Sequence, residues 1–126
     1  MTKNIEDKLD KIPCNVQWAV AIYPAYVLTD GVNVGNKQGG NENDVRIAPE
    51  FSFDLATCPM LFIHGDEDVY SPMGSVKCWE QLRRMGIQSD LHTLAKRGHC
   101  FQRKAALGTG SFTCMNRIWE FMNHKG

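Results

Sequence analysis

Pro59 to Asp68 reads P-M-L-F-I-H-G-D-E-D, an apolar run closed by a proline on one side and by a glycine turn rich in carboxylates on the other. Met60 to Ile63 is too short for a helix and reads as a strand buried on both faces, the mark of a parallel sheet. Parallel neighbours need long return connections, usually helical, so this run commits the chain to an α/β arrangement. It also places the chemistry. Asp66 and Asp68 follow the strand at its carboxyl end, the edge where open α/β sheets hold their ligands.

The flanking sequence supplies the rest of such a sheet. Val16–Tyr23, rich in β-branched and aromatic residues and ended by Pro24, reads as a strand. Ser89–Ala95 alternates, with Leu91, Thr93 and Ala95 on one face and Asp90, His92 and Leu94 on the other. Between Met60–His64 and Ser89–Ala95, the stretch from Pro72 to Met85 reads as a helix. Pro72 suits its first turn, Val76, Trp79 and Leu82 form its buried stripe, and Gly86 stands at its stop. A second helix over Phe112–Met122 should cover the sheet with Ile118, Trp119, Phe121 and Met122. Residues 2–12 place Ile5, Leu9 and Ile12 on one side of a short helix that Pro13 stops. Residues 29–46 are rich in Gly and Asn and read as a flexible, lid-like loop. Ala48 to Leu55 is a short turn or helix. The expectation is one α/β domain over residues 1–126, with three parallel strands, right-handed helical crossovers and flanking helices.

Charge narrows the range of partners. Fourteen basic and fourteen acidic residues give a formal net charge of zero, which leaves no electrostatic footprint for nucleic acid. The pairs Arg83-Arg84, Lys96-Arg97 and Arg103-Lys104 read as solvated surface. Five scattered cysteines (Cys14, Cys58, Cys78, Cys100, Cys114), with no C-x-x-C spacing, read as reduced structural thiols. The first twelve residues are too charged for a signal peptide, and Trp18–Leu28, broken by Pro24, is too short to span a bilayer. As it stands the chain reads as cytoplasmic, with no membrane association.

Two side chains have a context for catalysis. Asp68 follows one strand and His99, thirty-one positions on, lies in a loop after the next. A carboxylate at that place can hold an imidazole Nδ1–H, fixing its tautomer and stabilising its protonated form. The plain alternatives are an Asp that caps the following turn and a surface-loop histidine. Asp66 reads as a turn residue, and His64 as a structural hydrogen-bonder at the strand end. His92 and His124 have no site context. Cys100 is adjacent to His99, but neighbouring residues point apart, so the two do not form a thiol–imidazole pair. Met73, Met85 and Met115 read as core fillers.

Three segments carry a family resemblance: A-V-A-I-Y-P-A-Y from Ala19, H-G-D-E-D-V-Y-S-P from His64, and L-H-T-L-A-K-R-G-H-C-F from Leu91. In order and spacing they resemble the α/β-hydrolase superfamily, in particular its esterase and lipase branch of acetylxylan-esterase-like and feruloyl-esterase-like carbohydrate esterases. The resemblance implies a partial α/β-hydrolase fold in which Asp68 is the acid and His99 the base of a Ser-Asp-His triad. It also implies a small-molecule or carbohydrate ester as substrate, with no metal or organic cofactor. The family's nucleophile stands on G-x-S-x-G, and no such string occurs among Ser52, Ser71, Ser75, Ser89 and Ser111. An H-G-G-G-type oxyanion segment is absent as well. The sequence therefore reads as the C-terminal part of such a hydrolase, without its nucleophile half. Val16–Tyr23 is apolar on both faces, so its outer edge should seek a partner, either the missing half or a second copy. The resemblance leaves open a fragment, a split enzyme, and a non-catalytic remnant that associates through that edge.

Overall fold

The computed structural model describes residues 12–13, 15–29, 46–101 and 111–124. The helix expected over residues 2–12, apart from its last position, and residues 30–45 of the lid-like loop lie outside them. Five elements follow in chain order: β1 (Ala19–Ile22), β2 (Met60–Gly65), α1 (Met73–Arg84), β3 (Ser89–Leu94) and α2 (Ser111–His124). The strands form one parallel sheet in the order β1-β2-β3. Met60 pairs with Ala19 on one side and Ser89 on the other, so all three carboxyl ends point the same way. The chain thus has a three-stranded parallel sheet with two flanking helices, an α/β arrangement.

Period-two alternation along β2 divides the core. Leu61 and Ile63 face α2 and join Phe101, Cys114 and Phe121. Phe62, on the opposite face, joins Val27, Cys78 and Leu82 on the α1 side. Leu61, Phe62 and Ile63 are at most 2% exposed, and each such burial stabilises the fold by roughly 1.5–3 kcal/mol. The next residue on Phe62's face is His64. The strand that builds the core therefore also delivers a buried polar ring to α1.

Helix α1 differs from the expected stripe. Its buried positions are Gly74, Ser75, Cys78 and Leu82, while Val76 and Trp79 are half-buried. Small residues lead the stripe because the helix lies close to its neighbours: a Cβ on Gly74 would stand 3.2 Å from Val27 Cβ. Trp79 serves the sheet margin instead, donating its indole N–H to Ser89 O at 3.3 Å. Gly86 ends the helix at φ +76°, the left-handed conformation that favours glycine.

Helix α2 buries Cys114 and Phe121 and half-buries Ile118, an i, i+4, i+7 stripe. That phase turns Met115 (62% exposed) and Trp119 (66%) outward, so neither fills the core as their composition implied. Strand β1 is shorter than Val16–Tyr23. Val16 is exposed, and Tyr23 turns the chain away at φ +40° after donating its N–H to Ile63 O at 2.7 Å.

The crossover from β1 to β2 holds no helix among the described residues, unlike the helical β2–α1–β3 connection. An antiparallel bridge between Leu28 and Ile47 draws its two arms together. Thr29 N–H donates to Arg46 O at 2.8 Å and Ala48 N–H to Val27 O at 2.7 Å. Thr29 and Arg46 are thus neighbours in space. No helix of the described residues is long and apolar enough to cross a membrane.

Candidate functional site

The turn after β2 and the loop after β3 meet above the carboxyl edge of the sheet. Gly65 permits this meeting, since its Cα lies against the Arg97 backbone and a Cβ there would stand 2.8 Å from the Arg97 carbonyl carbon. Glu67 N–H donates to Arg97 O at 3.0 Å and Asp66 N–H to Leu94 O at 2.9 Å, which ties the two segments together. Asp66 itself is exposed and belongs to the turn.

Asp68 turns inward. Its side chain has no exposed surface, and its Oδ2 lies 2.9 Å from His99 Nδ1. Its other oxygen, Oδ1, accepts the Tyr70 N–H at 2.8 Å. A carboxylate oxygen is an acceptor, so Nδ1 of His99 is the donor, and in a neutral ring Nε2 then has the lone pair. No described residue bonds that Nε2, and the His99 side chain is 29% exposed. Tyr23 and Tyr70 stand edge-on to the imidazole with ring centroids 4.9 and 4.8 Å away. The two rings flank the imidazole and limit how it can turn.

Behind Asp68 lies a second imidazole. His64 has no exposed surface, and its Nε2 is 2.9 Å from Tyr70 O and 3.2 Å from Asp68 Oδ2. Its Nδ1 is 2.8 Å from the buried Ser75 hydroxyl on α1. Burial lowers the His64 pKa from its ordinary value, and the Tyr70 carbonyl and the Asp68 carboxylate oppose that shift. Tyr70 also meets Tyr26, their hydroxyls 3.3 Å apart. That bond, followed by the charge and burial around it, raises the Tyr70 phenol above its ordinary pKa, so it stays protonated and able to donate.

The structure brings together the two residues that the sequence singled out, Asp68 and His99. His64, expected as a structural hydrogen-bonder, bonds Ser75 and the Tyr70 carbonyl and also touches the acid, 3.2 Å from its Oδ2. Ser75, Tyr23, Tyr26 and Tyr70 carried no signal as parts of one site. His64 could have been connected to Ser75 by counting alternation from Phe62, which sets it on the face that α1 covers. His92 and Cys100 make no bond with the pair. Three non-glycine residues near the site, Tyr23, Tyr26 and Cys100, have positive φ values of 40°, 59° and 58°. Backbone strain of this kind costs on the order of 1–3 kcal/mol per residue and concentrates at functional sites.

Ser75 is committed to His64, and no described serine hydroxyl bonds His99. Among the described residues no group of His, Cys, Asp and Glu has the arrangement of a metal site. A groove of about 950 Å³ runs along the outer edge of β3 and includes Trp79, Arg83, His92, Arg117 and Phe121 in its lining. It contains neither Asp68 nor His99.

Comparison with protein-family models, with curated proteins and with solved structures finds no match for this chain.

Proposed function

We propose that this chain supplies the general base and its orienting acid for a carboxylic-ester hydrolase of the α/β-hydrolase type, with acylated carbohydrate as the substrate class. The carrying observation is the 2.9 Å contact between Asp68 Oδ2 and His99 Nδ1, in an imidazole whose side chain is 29% exposed. In this reading a serine hydroxyl from another segment or chain approaches Nε2. His99 takes its proton while the oxygen attacks the ester carbonyl. The imidazolium, held by Asp68, then protonates the departing alcohol. Water repeats the sequence: His99 accepts its proton, the acyl-serine is hydrolysed, and serine regains the proton as the acid leaves. No outside oxidant or reductant is needed.

No G-x-S-x-G occurs in this sequence, so the 126-residue chain by itself should hydrolyse p-nitrophenyl acetate no faster than its His99→Ala variant. A burst with an acyl group trapped on one of its own serines overturns that expectation. The positive test begins with the genome. A reading frame with G-x-S-x-G immediately upstream, expressed with this chain, should yield an esterase that His99→Ala or Asp68→Asn abolishes. An active pair indifferent to both substitutions refutes the assignment.

A second reading rests on a separate observation. Among the described residues β1 has no strand on its outer side, and Val16 beside it is 59% exposed. The chain would then be a non-catalytic module that associates through this edge. Association undisturbed by His99→Ala, with no esterase activity in any combination, favours it.

A further inference from the structure

Ordinary packing does not require a polar ring at the end of the most buried strand. His64 nevertheless occupies the α1-facing position after Phe62, and each of its nitrogens has a committed partner. Nε2 faces only acceptors, the Tyr70 carbonyl at 2.9 Å and Asp68 Oδ2 at 3.2 Å. Nε2 therefore carries the proton. A neutral ring then has a lone pair on Nδ1, and the Ser75 hydroxyl at 2.8 Å donates to it. The result is a directed chain: Ser75 O–H donates to His64 Nδ1 and His64 Nε2–H to the Tyr70 carbonyl, with Asp68 Oδ2 in contact with the same nitrogen at 3.2 Å. His99 Nδ1–H meets the same oxygen from the loop after β3. With the Tyr70 N–H on Oδ1, two hydrogen bonds and the His64 contact hold one buried carboxylate.

We propose that His64 is a positioning residue for the Asp68–His99 pair, a neutral imidazole that locks Asp68 Oδ2 in the orientation His99 requires. This rests on the reading of Asp68 and His99 as an acid–base pair. Neutrality matters to the role. A protonated His64 would compete with His99 for the Asp68 charge, whereas a neutral donor fixes the carboxylate and leaves its charge to stabilise the His99 imidazolium. Burial keeps the ring in that state. Ser75 extends the lock into α1, so the acid is referenced to the helix as well as to the strand.

The test reads ring tautomers in the folded chain by long-range ¹H–¹⁵N NMR and needs no turnover. In the wild-type chain neutral His99 should be the Nδ1–H form and His64 the Nε2–H form. His64→Gln places its amide donor where Nε2 stood and should preserve the His99 tautomer. His64→Asn ends near the former Nδ1, cannot reach Asp68, and should lose the Nδ1–H preference at His99. A role confined to stability would lower the melting temperature in both variants and leave His99 unchanged in both. A wild-type His99 tautomer in folded His64→Asn therefore overturns the proposal. So does an Nδ1–H tautomer for His64 in the wild-type chain, an observation that needs no variant. Asp68→Asn separates the two claims. If it leaves the His99 tautomer intact, the acid–base pair itself fails; if it shifts His99 while His64→Asn does not, only the role of His64 fails.

Discussion

Gly65→Ala tests the meeting of the two loops most directly. The added Cβ would stand 2.8 Å from the Arg97 carbonyl carbon and 3.1 Å from Arg97 Cβ, and it would press hardest on the Arg97 carbonyl oxygen. Two of these three neighbours are backbone atoms, which cannot swing aside as the tip of a side chain does, so the loop after β3 must retreat. Overpacking of this kind costs about 1–3 kcal/mol. The retreat also stretches the 3.0 Å Glu67 N–H bond to Arg97 O, and a lost hydrogen bond adds about 0.5–1.5 kcal/mol. Together these predict a loss of about 1.5–4.5 kcal/mol, readable as a lower urea midpoint with an unchanged slope. The site should suffer in parallel, because His99 lies two residues beyond Arg97 and its bond to Asp68 is already 2.9 Å long. His99 should lose its fixed Nδ1–H tautomer even under conditions where the variant is fully folded. A Gly65→Ala chain within about 0.5 kcal/mol of wild type, the usual range for surface changes, with the His99 tautomer intact, refutes this account of how the two loops are joined.

Three other outcomes follow from the described contacts. The folded chain holds His64 below its ordinary pKa of 6.5 by burial, whereas the unfolded chain leaves it near that value. The unfolded state thus takes up the proton first: this contribution to stability is complete above pH 6.5 and declines as pH falls below it, with a slope of at most about 1.4 kcal/mol per pH unit. Urea unfolding should show a shallower decline in His64→Gln, and identical profiles count against a buried neutral His64. The Cys78 thiol is 3% exposed and burial pushes its pKa up to about 11, so a thiol-specific disulfide reagent should modify half-exposed Cys58 and Cys100 first and Cys78 only on unfolding; early labelling of Cys78 in the native state contradicts that burial. Light scattering at micromolar concentration should show dimers or larger species, because the outer side of β1 is unpaired among the described residues; a monodisperse monomer argues against an adhesive edge.

The parallel sheet was legible because β2 is an unbroken apolar run between Pro59 and Gly65, a pattern with few other readings. Asp68 and His99 were legible because each follows a strand, and parallel strands bring their carboxyl ends to one edge. The α1 stripe was misread because hydrophobicity ranks Trp79 and Val76 above Gly74 and Ser75. Close helix packing and a hydroxyl for His64 reverse that ranking, and both depend on tertiary neighbours. Trp119 and Met115 misled for a similar reason: the phase of α2 is set by Cys114 and Phe121, one of them a residue that composition treats as weakly apolar. The tyrosines around His99 lie in separate turns, two of them at positive φ, and no sequence period connects such positions.

The acid and the base hang from strands of unequal tenacity. Asp68 follows β2, which is hydrogen-bonded on both sides and has Leu61, Phe62 and Ile63 at its centre. His99 follows β3, which among the described residues is paired on one side only. Local opening begins where backbone bonds face solvent and apolar contacts are few, and reaches a central strand last. The pair should therefore part by excursions of the 95–101 loop, carrying the imidazole away from a carboxylate that stays in place. Amide exchange through Met60–Gly65 would be the slowest in the sheet, and the lifetime of the assembled pair would be set by the β3 side alone. In kinetic terms the acid acts as the fixed electrode and the base as the moving contact.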